Sequence, residues 1–430
     1  MAMCICNLTN EFVEQKRPSE LKINHKYSMA QLTITILPPK SVLHYWLSLS
    51  KEPTQDFIRL LDYLSERDLG LLEIALSERD MRPLYMQVLK NYYETHEILI
   101  SKLKYSQSHF DWILNRGLNN HIQKLAISNK SIEINFYEYN IKLPSLLEVR
   151  CWYITPQICL TLGLYSPNLQ SLRIYTYSRG ITEKSIENIC AGCRMLKCIQ
   201  ICSPGSEFFT RPISRSLFVI SNCCKELEVL KLYNWNHIDS IACLSELTNL
   251  RELGLDMVRS WSSTTNAIFA SNTKLETVRI CGDLSHDLIM RALGAHCHSL
   301  KHVRLGSPAW EEITDEDITA MVQGCPLLET INIAAWKSSS SVFFGGGFVP
   351  TVSVTNSAMY AIAHHCIHLK LFKINSPDSL AYDNTGLDAI KCGCPDLQAI
   401  YEDDTVYYAA PGYDTTDDSY NAYYRENGYF

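Results

Sequence analysis

Apolar residues recur along this chain in a six-point pattern centred on cysteine. With Cys193 as origin, Ile186 and Ile189 stand seven and four places before it, and Leu196, Ile199 and Ile201 stand three, six and eight places after it. Cys224 repeats the set with Leu217, Ile220, Leu227, Leu230 and Leu232, and Cys297 with Met290, Leu293, Leu300, Val303 and Leu305. Cys325 brings Ile318, Met321, Leu328, Ile331 and Ile333, and Cys366 brings Met359, Ile362, Leu369, Phe372 and Ile374. The last copy, on Cys394, has Leu387, Ile390, Leu397 and Ile400 but ends on Glu402. Positions up to the cysteine share one face of a helix, and the two furthest after it share one face of a strand. Each unit therefore predicts a helix, a tight turn and a short strand.

The strand part recurs without cysteine at Ile122/Leu125/Ile127, Leu146/Val149/Cys151, Leu169/Leu172/Ile174, Leu250/Leu253/Leu255 and Leu275/Val278/Ile280. Eleven strand starts result, from Ile122 to Leu397, most about 25 residues apart, with one interval of 41 between Leu328 and Leu369. A unit of that length cannot bury its apolar face alone, whereas stacked units share a continuous core. The fold expected is an α/β leucine-rich-repeat solenoid, a horseshoe with parallel strands on its concave face and helices outside. The run Cys325-Pro326 through Ile331, repeated at Cys394-Pro395 through Ile400, resembles the cysteine-containing, RNI-like repeats of F-box/leucine-rich-repeat proteins.

Ahead of the repeats, residues 53 to 76 read as two short amphipathic helices joined at Ser65-Glu66-Arg67-Asp68, with Ser65 as a helix cap. The segment is similar to an F-box at Pro53, Phe57, Leu60, Leu61, Leu64, Leu69 and Leu72. It departs from one at Glu52, Ala75, Leu76 and Arg79. The resemblance implies docking of those residues to a Skp-type adaptor and so to a cullin complex, with the chain as substrate receptor of a ubiquitin ligase. The alternative is a leucine-rich-repeat scaffold or recognition module whose N-terminal helices only cap the solenoid. The division expected is 1–52 as a partly ordered segment, 53–96 as the F-box-like module, 97–120 as a helical connector, 121–403 as the solenoid, and 404–430 as an acidic, Tyr-rich, unstructured tail.

Residues alternating with the apolar strand positions point away from the core. The central column runs Ala126, Arg150, Arg173, Gln200, Lys231, Gly254, Arg279, Arg304, Asn332 and Lys373, six basic and none acidic, in a chain of net charge −7. Trp152, Tyr175 and Tyr233 lie in the next column. Arginine beside aromatics suits a protein partner carrying acidic or phosphorylated groups. The other reading is a solvated basic face balanced by Glu148, Glu252 and Asp256. Residues 338 to 348, SSSSVFFGGGF, read as a loop within the long unit, either folding over a ligand or inserted without order.

Composition narrows the function classes. With 46 carboxylates against 39 Lys and Arg, nucleic acid and anionic membrane are not the expected partners. The N-terminus lacks the apolar core of a signal peptide, and no apolar run is long enough for a membrane span, which points to cytoplasm or nucleus. The 17 cysteines fit reduced, buried thiols. The chain contains no phosphate loop, HExxH or GxSxG. The spacing of Cys190 and Cys193, and the group His364, His365 and His368, suit a helix end better than a redox or metal site. No catalytic residue, metal or cofactor is expected, and the chain reads as a non-enzyme.

Overall fold

The computed structural model describes residues 69, 73, 81–100, 107–127, 142–152, 154–175, 181–202, 214–233, 240–258, 264–282, 286–307, 313–335, 354–375, 382–402 and 405–409. The chain divides into two compact units, Met1–Leu125 and Ala126–Phe430. Pro53, Phe57, Leu60, Leu61, Leu64 and Leu72, together with the 338–348 loop, lie outside the described residues.

The first unit contains α1 (Met81–Thr95), β1 (Glu97–Ile100), α2 (Gln107–Asn115) and a 3-10 turn (Leu118–His121), and the division falls inside β2 (Lys124–Ile127). Its core holds Tyr85, Leu89, Tyr93, Ile113 and Leu118, all essentially without exposed surface. Leu69 is buried as well, and its carbonyl accepts the Tyr85 hydroxyl at 3.1 Å. Glu73, nearly buried, is held by Arg82 at 3.2 Å and by Arg116 through two nitrogens. The Arg116 guanidinium in turn covers the Trp112 ring, 4.3 Å from its centre. A buried carboxylate is tolerable only with such pairing.

The second unit repeats the predicted helix, turn and strand. Its strands are β3 (Glu148–Cys151), β4 (Ser171–Tyr175), β5 (Cys198–Cys202), β6 (Val229–Tyr233), β7 (Glu252–Val258), β8 (Thr277–Gly282), β9 (His302–Ser307), β10 (Thr330–Ala335), β11 (Leu371–Asn375) and β12 (Ala399–Glu402). Each pairs parallel with the next in chain order. The interposed helices are α3 (Pro156–Tyr165), α4 (Glu183–Gly192), α5 (Ser214–Cys223), α6 (Thr264–Ser271), α7 (His286–His296), α8 (Asp315–Gly324), α9 (Asn356–His365) and α10 (Asn384–Gly393). Between β6 and β7 the described residues form a 3-10 turn, Ala242–Glu246, where the other repeats have a helix. This is an α/β repeat solenoid. Residues Thr405–Ala409, read from sequence as the start of an unpatterned tail, add an antiparallel strand β13 to β12.

Helix starts are set by side-chain caps. Thr182 and Thr314 form reciprocal caps with Ser185 and Asp317, and Thr355 and Asp383 accept from Ser357 and Thr385. Helix ends are set by the repeated cysteine. Cys193, Cys325, Cys366 and Cys394 each occupy the position after the last helical residue and return their backbone N–H to the carbonyl four places back. At Cys325, Cys366 and Cys394 the leucine three places on donates its N–H to the cysteine carbonyl, closing the tight turn.

The thiols then reach the previous repeat. Cys193 Sγ donates toward the carbonyls of Leu162 (3.5 Å) and Ser166 (3.3 Å), and Cys325 Sγ toward those of Leu293 (3.5 Å) and Cys297 (3.4 Å). In a repeat without cysteine, the Asn272 amide does this by donating to Leu244 O at 3.3 Å, and it also donates to Ile268 O of its own helix at 2.9 Å. Burial pushes the Cys193, Cys297 and Cys325 thiols up to about 12, so they stay protonated donors. Cys190 is raised too, through its contact with Cys224 and through burial, so the Cys190/Cys193 spacing gives no reactive thiolate.

Adjacent helices meet at backbone contact where glycines face each other. A Cβ on Gly192 would fall 1.6 Å from the Gly163 carbonyl oxygen, and one on Gly324 1.8 Å from that of Gly294. The 41-residue interval leaves the stack undisturbed. Asp315, at the start of α8, accepts from Thr355 N at 2.8 Å and Thr355 Oγ1 at 2.5 Å, and β10 and β11 pair without a register shift.

Replacing Cys325 by alanine should cost about 1–3 kcal/mol, since two buried carbonyls lose a donor and a small cavity opens. Cys392, which is exposed, should accept the same change within about 0.5 kcal/mol. Urea unfolding of both variants checks this, and equal midpoints would refute the capping role.

Candidate functional site

Along the strands of the second unit, buried and half-exposed residues alternate, and Val149, Leu172, Leu230 and Val303 face the helices. Their neighbours form the opposite face. Parallel register places Arg150 beside Arg173, then Gln200, Lys231, Gly254, Arg279, Arg304, Asn332 and Lys373 in one row. The row continues to Tyr401, whose ring lies 5.9 Å from the Lys373 ammonium.

The aromatic column does not stand open. Tyr175 and Tyr233 are 8% and 4% exposed and pack with Cys202 into a small apolar cluster against which the partly exposed Trp152 rests. The Trp152 and Tyr175 rings are 5.7 Å apart. Tyr233 lies over Gly254, where any Cβ would strike its ring, and the Arg279 guanidinium stacks on that ring at 4.5 Å. Alternation assigned these tyrosines to solvent. Their neighbours on the same face bury them instead, and Trp152 retains the aromatic surface.

The cations of the first strands are engaged within the face. Arg150 Nε donates to Glu148 at 2.9 Å, and Lys231 pairs with Glu252 across one strand step at 2.5 Å. At Arg173 burial opposes the charge, but Cys198, Tyr175 and Glu148 together outweigh it and hold the guanidinium above its ordinary value. Burial also raises the Tyr175 hydroxyl. Partial desolvation, among the opposing charges of Glu329, Lys301, Lys370 and Glu252, lowers the His302 imidazole from its ordinary value.

Three residues before the central row runs a second row that sequence reasoning missed. Lys197, Glu228, Arg251, Glu276, Lys301, Glu329 and Lys370 alternate in sign across successive repeats. Their contacts are Lys197–Glu228 at 3.8 Å, Arg251–Glu228 at 4.0 Å, Arg251–Glu276 at 2.9 Å, Lys301–Glu276 at 2.8 Å and Lys370–Glu329 at 2.7 Å. Backbone N–H groups of these residues donate to the carbonyl of the preceding member at 2.7–2.8 Å, which fixes the spacing. The signal was present in the sequence as opposite charges at equivalent repeat positions.

Of the residues matched to an F-box, Leu69 is the one described, and it is a core residue of the first unit. His364 and His365 meet edge to face at 4.7 Å, and His368 stands 3.9 Å from Asp396. Among the described residues no helix is long and apolar enough to cross a membrane.

No protein-family model matches the chain. Solved structures similar to it include an internalin (inlF) from Listeria monocytogenes, at 13% identity over 65% of this chain and 67% of that one, with a TM-score of 0.37. The complex of Rad7 and Elc1 in yeast is similar at 16% identity over 78% of this chain and 86% of that one, with a TM-score of 0.38.

The alternating row makes a pH prediction. Hydrogen bonds from Lys301 and Lys370 hold the Glu276 and Glu329 carboxyls below the ordinary carboxylate range. A carboxylate depressed in the folded state stabilises above its unfolded pKa of about 4.3 and loses that contribution as pH falls through the folded value. The melting temperature should therefore drop on acidification below about pH 4.5. Glu276→Gln with Glu329→Gln should flatten this limb while lowering the melting temperature at neutral pH, a difference that shrinks in about 1 M salt. Parallel acid limbs for both proteins would contradict the row's contribution.

Proposed function

We propose that this chain is a non-enzymatic interaction protein, the substrate-recognition subunit of a Skp–cullin–F-box ubiquitin ligase. Its N-terminal helices dock on a Skp-type adaptor, and its strand face holds an acidic or phosphorylated protein substrate. The observation that carries the recognition half of this reading is the central row, in which six cations lie in register in a chain of net charge −7. Guanidinium groups at strand spacing can offer bidentate donors to a carboxylate or phosphate laid along the row. The adaptor half rests on the sequence resemblance at Pro53, Phe57, Leu60, Leu61, Leu64, Leu69 and Leu72.

A second reading, a recognition module without an adaptor, is favoured by one observation. Leu69 is spent on the first unit's own core, and Glu73, one turn on, is clamped by Arg82 and Arg116. In that reading the N-terminal helices serve folding alone.

The two readings separate in a co-purification with a Skp-type adaptor. The intact chain should retain the adaptor, and a variant carrying Leu60→Asp and Leu64→Asp should lose it at an unchanged melting temperature. Failure of the folded intact chain to retain the adaptor would leave the second reading.

A further inference from the structure

The turns that follow the helices carry an apolar ridge at one end of the stack. Strand register sets Thr330, Leu371 and Ala399 side by side, and the same offsets place Pro326, Ile367 and Pro395 in one row, each directly after its helix-capping cysteine. All three are exposed, Ile367 to 51%. Leu327, 41% exposed, stands next to Pro326 and widens the row. In the five preceding repeats the same position holds Arg194, Lys225, Thr248, Thr273 and His298, all polar or charged. A single exposed apolar side chain is ordinary, but three in register on consecutive repeats form a surface shaped to be covered.

The path of the chain indicates what covers it. Strand β13 runs antiparallel to β12, and its last residue, Ala409, stands opposite Ala399, the first residue of β12. Pro395 lies just ahead of β12 on the same side of the sheet, so the chain leaves β13 heading back toward the ridge. Residues 410–430, which lie outside the described residues, follow at once. Tyr413 is as many residues past Ala409 as Pro395 is ahead of Ala399, and four residues span up to about 14 Å. Two repeat steps along the row, from Pro395 to Pro326, add about 10 Å, or three extended residues. The interval from Tyr413 to Tyr420 covers that length with slack, and Tyr423 and Tyr424 follow.

We infer that residues 410–424 of this chain dock on the ridge of Pro326, Ile367 and Pro395, with tyrosine rings laid against it. Tyrosine suits a half-wet surface, because its ring is apolar and its hydroxyl can stay in water. A ridge this small is sufficient for an intramolecular contact, since a short tether holds the segment at a local concentration in the millimolar range. The contact lies at the turn edge, outside the strand face, so it does not compete with a ligand held there.

The test is photo-crosslinking in the full chain, with p-benzoylphenylalanine replacing Ile367, Leu327 or, as an exposed apolar control on α5, Phe218. Peptide mapping after irradiation should join the Ile367 and Leu327 positions to residues 410–424 at the mass of a single chain, and should leave the Phe218 position unjoined to them. Chymotryptic cleavage after the tyrosines of residues 410–424 gives a second readout. It should speed up at least about threefold in Ile367→Asp and stay within about 1.5-fold in Phe218→Asp, because cleavage follows the population of the undocked segment. Melting temperatures establish that each variant is folded. Ridge crosslinks at twice the chain mass would assign the surface to a second copy and overturn the proposal. Absence of crosslinks from both ridge positions to residues 410–424, or equal cleavage rates in the two aspartate variants, would overturn it as well.

Discussion

The order of the second unit depends on helix ends that no repeat can finish by itself. The last carbonyls of an α-helix have no partner within it, and here the cap residue's own N–H answers one of them. The thiol of the next repeat reaches back to others, as Cys325 does to Leu293 and Cys297. Cysteine suits the task because it is small and apolar enough to be buried yet carries a weak donor. Asn272 is the instructive exception. Where the thiol is missing, an amide occupies the same place and donates to the preceding repeat. The repeat position thus asks for a donor between stacked helix ends, and it sets the height of each helix in the stack.

Once that height is set, the turn after the cysteine starts each strand at the same level, and every residue stands beside its counterpart one repeat away. The alternating row from Lys197 to Lys370 follows from this. So does the tolerance of a 41-residue interval. The cost of closing a longer loop grows only logarithmically, and Asp315 receives the returning chain at Thr355 before α9 begins. Glycines complete the arrangement, with Gly163 and Gly192, and Gly294 and Gly324, allowing the helices to approach as closely as the strands require.

Sequence pattern exposed the fold because the repeat template is a pattern of burial. Met290, Leu293, Cys297, Leu300, Val303 and Leu305 were read as one apolar set, and all are buried. The same logic misplaced Tyr175 and Tyr233. Alternation says which side of the sheet a residue occupies, but it does not say whether that side has a packed layer of its own, and here Cys202 and Trp152 supply one. The alternating charges escaped for a different reason. Their meaning lies between residues about one repeat apart, and nothing in a local window of the chain displays it. The short 3-10 turn before β7 and the added strand β13 were hidden because neither carries the template.

Two rows three residues apart in each repeat, one just ahead of the strands and one on them, treat charge in different ways. At Glu276, Lys301 and Glu329 successive repeats alternate in sign, so the strand spacing draws the charges together. At Arg279 and Arg304 the same spacing sets like charges side by side. Geometry does not impose this, because the neighbouring row shows that an acid and a base fit comfortably at one strand step. Nor does packing impose it, since Gln200, Gly254 and Asn332 occupy the central row without charge. One repeat spacing thus carries two rows of different character, an alternating one that ties successive repeats together and a central one in which cations stand among neutral polar residues.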